Sequence, residues 1–218
     1  MSEKPTTKER LLEAACGIFA EKGFRDATVA EICEVAEANI AAVNYHFGDK
    51  EKLYDEVWRC AFATAIEAYP IDGSLPENPE LEDYLHSFAH ALLHRIFSEG
   101  ESGLFAKLLY REMASPTLAL ERIATEAIFP QSEFLVGAVR TALGEQVGEQ
   151  QIRLCMNSIV AQCAFYNFSR PLRERVLGKK TMSEEEIGTI ARHIACFSLG
   201  GLKEIQKVDP QISQMGTD

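Results

Sequence analysis

An all-α fold is what this sequence predicts, and three observations predict it. Apolar residues recur at helical spacing almost throughout the chain. No strand-length stretch alternates apolar with polar residues. Helix-start signals stand ahead of the periodic segments. About nine helices are expected, as a small N-terminal head of three, a long fourth helix and a larger helical body.

The first helix is expected over residues 6–22. Leu11, Leu12, Ala15, Ile18 and Phe19 fall on one stripe. Thr6 and Glu9 form a capping box at its start, each side chain serving the other's backbone N–H. Gly23 ends it, because glycine adopts the left-handed conformation freely. Thr28 and Glu31 repeat the box ahead of a second helix, whose Ile32 and Val35 are expected to face inward. A corner follows at Ala36–Glu37–Ala38. Asn39 is a favourable N-cap for a short third helix, which closes near Phe47 with Gly48 as its left-handed exit. Asp49 caps a long fourth helix carrying Leu53, Val57, Trp58 and Phe62.

The stretch "YPIDGSLPENPE", residues 69–80, holds three prolines and a glycine and is the clearest break in the chain. Asn78 and Pro79 read as the N-cap and first residue of a helix to about Phe97. Another helix covers about 101–113. Ser115 and Pro116 repeat the cap-and-proline pattern ahead of a long helix to about Leu143. The loop "GEQVGEQQ" leads to a helix over about 149–168. "SRPLRERVLGKKTM", residues 169–182, reads as polar and irregular. Ser183 and Glu186 box a last helix to about Ile205, and the tail from Lys207 is expected to fray.

A chain of 218 residues is long enough to bury a sizeable core. It is 46% hydrophobic and 25% charged, so disorder throughout is not expected. No apolar run approaches the ~18 residues that span a membrane, and "MSEKPTTKER" has no apolar segment of a secretory signal; a cytoplasmic protein is expected. The six cysteines form no CxxC pair and sit among apolar residues, which suits small buried hydrophobes rather than a zinc knuckle. Phosphate loop, GxSxG elbow and paired-carboxylate metal motif are all missing, so neither an enzyme nor a cofactor is expected.

A helix, a tight corner and a second helix make the helix-turn-helix plan, in which the second helix lies in the DNA major groove. Here that helix is "NIAAVNYHF". Val43 and Phe47 are four residues apart and face the head's core, leaving Asn39, Ile40, Ala41, Asn44 and Tyr45 on the other sides. Asn44 can bond adenine in a paired fashion and Ile40 can touch a thymine methyl. Thr28, Tyr45, His46 and Lys50 can reach phosphates. The charge points the other way. The formal net charge is -11, and residues 1–58 hold seven Lys or Arg against twelve Asp or Glu, 7 − 12 = −5. DNA affinity draws heavily on cations displacing counterions, yet a total charge does not report on the face presented.

Residues 6–58 resemble the DNA-binding head of the TetR family of transcriptional regulators. "LLEAACGIFAEKGFRDATVAEICEVAEANIAAVNYHFGDKEKLY" carries the resemblance, and its "YHFGDKEKLY" ending is the most specific part. Within the family, "NIAAVNYHFG" and the later "LYREMASPTLALERIATEAIFPQSEFL" are similar to the CecR-like subgroup. The resemblance implies a homodimer that represses genes from a palindromic double-stranded DNA operator and is released by a small-molecule effector. It implies that Thr28, Asn39, Ile40, Ala41, Asn44, Tyr45, His46 and Lys50 lie at or near DNA. It also implies a DNA-binding domain over 1–48 and a ligand-binding and dimerisation domain over 49–206, with the tail at 207–218. Glu37 departs from the glycine usual inside the turn. The alternative reading is a helical ligand- or metal-sensing protein that no longer binds DNA.

Three further groupings in the body carry expectations. Phe88, Phe105, Leu108 and Leu109 are candidates to line an effector cavity, with Arg111 and Glu112 as charged neighbours and Arg111 semi-buried to hold a ligand acid group. The last two helices resemble the family's dimer interface. Met156, Ile159, Val160 and Cys163 on one, and Ile190, Ile194, Phe197 and Leu202 on the other, are the candidate apolar faces, with Gly200 and Gly201 permitting close approach. His86, His90 and His94, spaced i, i+4, i+8, share a helix face as candidate metal ligands, with Asp83 one turn earlier; a single helix cannot complete a tetrahedral site.

Overall fold

The computed structural model describes residues 4–144, 147–178 and 181–208. It is all-α, and among these residues there is no strand. The head comprises α1 (Thr7–Asp26), α2 (Val29–Val35) and α3 (Ile40–His46). The rest comprises α4 (Lys50–Ala68), α5 (Leu81–Phe97), α6 (Leu104–Ala114), α7 (Ala119–Ile123), α8 (Phe129–Leu143), α9 (Glu149–Phe168), α10 (Arg170–Leu177) and α11 (Glu184–Val208). Among the described residues no helix is long and apolar enough to cross a membrane.

The chain divides into two compact units. One holds the residues up to Ala68 with Glu99–Ala127, and the other holds Tyr69–Ser98 with the residues from Ile128. In the first, α1 packs on α2, α3, α4 and α6. Leu11, Phe19, Ile32, Val43, Leu53 and Val57 are buried there. An aromatic series runs on from Phe19 through Tyr54 (4.8 Å between ring centroids) and Trp58 (6.0 Å) to Phe105 (5.5 Å). Edge-on contacts of this kind add to the burial of large rings. In the second unit, α5, α8, α9 and α11 surround a core that includes Leu85, Phe88, Leu135, Val139, Ile152, Ile159 and Leu202.

The capping boxes at Thr6–Glu9, Thr28–Glu31 and Ser183–Glu186 form as read, since each needs only residues three apart. Asp49 accepts the Lys52 N–H at 2.7 Å, and Gly48 leaves α3 at φ +90°. Gly23 takes φ +77°, but one more turn follows it before the helix closes at Asp26.

Other expectations are corrected. Val35 is 65% exposed; Ala36, four residues after Ile32 and so nearer the same helix face, is buried instead. The fifth helix begins at Leu81, after the Asn78–Pro79 pair, where Asp83 reaches back to the Glu80 N–H at 2.8 Å. Ser115 closes α6 and opens nothing. Its N–H bonds the Arg111 carbonyl at 2.9 Å, and Thr117 Oγ1 accepts from Ala119 N at the start of α7. The single long helix to Leu143 is broken by a π segment, Ala124–Ile128. Pro130 supplies the reason: it has no N–H to give a ladder and its ring crowds the carbonyl four residues back. Arg170–Leu177 is helical, with Pro171 in its first turn, an Arg170–Glu174 ion pair at 3.0 Å, and Gly178 at φ +65° ending it. Lys207 continues α11, and the tail beyond Val208 lies outside the described residues.

The two long helices α9 and α11 turn inward most of the face assigned to a partner, and of that apolar set Phe197 alone is exposed. Met156, Ile159, Cys163, Ile194 and Leu202 are buried inside their own unit. The exposed side carries Leu154, Phe165 (61%) and Phe168 (72%) on α9 and Phe197 (67%) on α11. Leu154, Ala161, Phe165 and Phe168 are spaced 7, 4 and 3 residues apart, which is one helical stripe. Gly200 and Gly201 have open space where a Cβ would stand. Four of the six cysteines are buried, with burial pushing the Cys16 and Cys163 thiols up to about 12; Cys60 and Cys196 are exposed.

Candidate nucleic-acid interface

The recognition helix is held by its two ends and one face. At its start Asn39 Oδ1 accepts the Ala42 N–H at 2.9 Å. At its end the Gly48 N–H bonds the Asn44 carbonyl at 3.0 Å. Val43 is wholly buried and Phe47 nearly so. That anchoring leaves Asn39, Ile40 (55%), Ala41, Asn44 and Tyr45 (85%) exposed. Thr28, at the start of α2, is exposed as well, while His46 and Lys50 are half-buried. The outward set is therefore the one that helical spacing predicts, and the structure adds how two members are supported. The Tyr45 ring meets His46 edge-on at 4.9 Å, and the Lys50 ammonium lies over the Phe24 ring at 4.5 Å.

The corner is built on backbone bonds from Ala36 N to Ile32 O (3.0 Å), Glu37 N to Glu34 O (3.2 Å) and Ala38 N to Cys33 O (2.9 Å). Glu37 takes φ +49°, the only non-glycine with positive φ among the described residues. A side chain there crowds its own carbonyl at a cost of about 1–2 kcal/mol. Glu37→Gly is therefore expected to raise stability by about 1 kcal/mol, or about 2–4 °C in Tm for a chain of this size. A thermal melt of the two proteins checks it, and an unchanged or lower Tm would show that the turn holds glutamate without strain. Sequence reasoning missed the brace behind this corner: Arg10 of α1 donates to the Ala36 carbonyl at 3.0 Å and to the Pro5 carbonyl at 3.2 Å. No spacing rule connects residues 10 and 36.

The head's acidic charge is partly committed to its own helix starts. Glu31 bonds Lys22 at 2.6 Å and the Thr28 N–H at 3.1 Å. The Lys22 ammonium first, then the Thr28 hydroxyl and N–H, hold its carboxyl down at about 2. Glu9 lies below the usual carboxylate range through the Thr6 N–H, and Asp49 through the Lys52 N–H. These three acids face backbone amides at helix N-termini, where a negative charge also suits the dipole.

The residues proposed around an effector are divided between the two units. Phe88 lies in the second unit's core, while Phe105, Leu108, Leu109, Arg111 and Glu112 belong to the first unit. Arg111 is exposed, not semi-buried, and donates to the Glu21 carbonyl. Glu112 is only 1% exposed, and three donors occupy its carboxylate: Tyr54 OH at 2.9 Å, Thr117 N at 2.6 Å and Thr117 Oγ1 at 2.7 Å. The first unit has a cleft of ≈ 490 Å³ lined by Phe24, Arg25, Tyr54, Thr117 and Arg122 among others, and a smaller one of ≈ 120 Å³ between Trp58, Phe62 and Ile123. None of the six expected residues lines either. The lone tryptophan on an otherwise periodic helix was the one available signal for the smaller cleft.

Comparison with known proteins agrees with this geometry. Residues 11–57 match the family described as bacterial regulatory proteins, tetR family. Residues 81–202, more than half of the chain, match the C-terminal domain of the HTH-type transcriptional dual regulator CecR. The CecR protein of Shigella flexneri is 23% identical over 198 residues, which cover 87% of this chain and 88% of that protein. The transcriptional repressor AcnR of Corynebacterium efficiens is 34% identical over 90 residues, 38% of this chain and 48% of that one. The crystal structure of PfmR, a TetR family regulator from Thermus thermophilus, shares the fold with a TM-score of 0.62 at 19% identity, covering 90% of this chain and 97% of that one. These are transcription regulators and not enzymes. A capped, outward-facing recognition helix in a helix-turn-helix head, followed by a matching C-terminal domain, places the chain in the TetR family of transcriptional regulators, in its CecR-like branch.

Proposed function

We propose that the protein is a cytoplasmic homodimeric repressor that binds a palindromic operator and leaves it when a small molecule binds. The single observation behind the DNA half of this reading is the recognition face of α3, where Asn39, Ile40, Ala41, Asn44 and Tyr45 stand exposed while Val43 and Phe47 anchor the helix. Residues 1–48 would read DNA and 49–206 would bind the effector and the second copy. The ≈ 490 Å³ cleft of the first unit, where Arg25 and Arg122 stand beside Glu51 and Asp55, is the candidate place for the effector.

The test is fluorescence anisotropy of labelled DNA from upstream of the protein's own gene, followed by genomic fragments, across a salt series. Tight binding to one sequence that falls steeply with salt supports the reading. Absence of sequence-selective binding at low salt would leave the helical sensor that does not bind DNA.

The dimer half rests on the exposed apolar stripe of α9 together with Phe197 and the open glycines of α11. Two such helix pairs bury their faces as a four-helix bundle across a two-fold axis. The double variant Phe165→Glu/Phe197→Glu is expected to sediment at the 24.3 kDa chain mass and the parent at twice that. A variant that stays dimeric would exclude this face.

A further inference from the structure

The second unit brings together three metal-ligating side chains from helices far apart in sequence. His90 and His94 stand one turn apart on α5, and their Nε2 atoms are 3.2 Å from each other. Glu184, in the first turn of α11, places a carboxylate oxygen 3.2 Å from the same His94 nitrogen. All three donor atoms fall within 4.8 Å of one another. His94 is buried, and the Tyr69 ring stacks on it at 4.8 Å between centroids, which holds the imidazole plane in place.

Hydrogen bonding alone serves this arrangement badly. A neutral His94 Nε2 carries at most one proton. If that proton goes to Glu184, His94 has no lone pair for a His90 N–H. If instead His94 accepts from His90, its lone pair faces the carboxylate. The single His94 Nε2 proton therefore satisfies at most one of the two contacts fully, and a His90 lone pair can at best share it with Glu184. A divalent cation removes the conflict, because it draws lone pairs from all three atoms at once. Two of the three separations, 3.2 Å each, lie close to the about 3.3–3.6 Å that tetrahedral zinc with bonds of about 2.0–2.2 Å sets between neighbouring ligand atoms, and the third lies within 4.8 Å, which a turn of the exposed Glu184 side chain closes.

We propose that His90, His94 and Glu184 form a site for a divalent cation of the zinc class, with the fourth position open to water or a ligand. Two imidazoles and one carboxylate suit zinc, and nickel or cobalt less selectively. The carboxylate from α11 supplies what one helix cannot. It also revises the histidine row. His86 stacks on His90 at 5.5 Å between centroids and stands outside the donor group, and Asp83 is taken up by the Glu80 N–H. Metal binding would tie the start of α11 to the middle of α5.

The test uses the full-length, tag-free protein without DNA, so that its outcome is independent of operator binding. Zinc is titrated in competition with a chromophoric chelator, and cobalt(II) in its place reports four-coordinate geometry by its visible absorption. One zinc per chain is expected. Glu184→Ala and His90→Ala should each weaken binding by about a hundredfold or more, since even a lost outer partner of a metal ligand costs about 10–100-fold. His86→Ala should bind as the parent does. Glu184 is an exposed position at a helix start, so its variant is expected to keep the parental circular dichroism. Unchanged zinc affinity in Glu184→Ala overturns the proposal, as does no saturable zinc binding by the parent. Loss in His86→Ala with retention in Glu184→Ala overturns it too, by returning the ion to a single helix face.

Discussion

Asn44→Ala weakens operator binding by about 5- to 150-fold per half-site, the worth of one paired hydrogen bond to a base. Tyr45→Ala weakens binding as well, but evenly across sequences, because a phosphate contact carries no base identity. The two losses are thus expected to differ in kind. On scrambled DNA of equal length, Asn44→Ala should bind about as the parent does, whereas Tyr45→Ala should lose a similar factor on both DNAs. Neither should change thermal stability by more than about 0.5 kcal/mol, since both side chains are exposed and serve no cap. Anisotropy on the two DNAs and a melt of each variant check all of this together. An equal loss on both DNAs for Asn44→Ala would remove it from the base-reading set. Parental affinity in both variants would mean that α3 does not enter the groove.

Glu112→Ala costs about 3 kcal/mol of stability, and Tm falls by about 6–12 °C. The carboxylate is buried where three donors converge, two from Thr117 and one from Tyr54. Truncation leaves the Tyr54 hydroxyl and the Thr117 N–H without their acceptor and opens a void between α4 and the corner after α6. A buried donor that loses its partner costs about 1–3 kcal/mol, and more than one is affected. Glu112→Gln is expected to recover only part of the loss, because an amide offers one acceptor oxygen where the site uses two. Tyr54→Phe removes one donor and should cost about 1 kcal/mol. A double-mutant cycle on Tyr54 and Glu112 isolates their coupling. If Glu112→Ala melts with the parent, the network contributes nothing to stability.

Much of the head is legible in the sequence because its determinants are local. Thr6 with Glu9, Thr28 with Glu31, and Asn39 with the Ala42 N–H each join residues three apart, and three residues is the reach of a capping side chain. Once α3 starts at Ile40, the four-residue interval between Val43 and Phe47 sets which side is buried, and the exposed reading face follows from geometry. The same local rule misleads at Val35, where three residues and four residues differ by more than a quarter of a turn and the neighbour Ala36 takes the core position.

Consecutive residues carry the all-α class, the order of the main helices, most of the helix starts and the outward face of α3, because short-range hydrogen bonds and helical periodicity are written in them. The remaining features arise only when the helices pack. α9 and α11 are apolar on more than one side, so periodicity could not say that Met156, Ile159 and Cys163 turn inward while Phe165, Phe168 and Phe197 stay exposed. Arg10 bracing Ala36, Glu112 joining Tyr54 to Thr117, and Glu184 meeting His90 and His94 each bring together side chains from separate parts of the chain. Such meetings depend on how rigid helices pack against one another, and no interval along the chain encodes that distance.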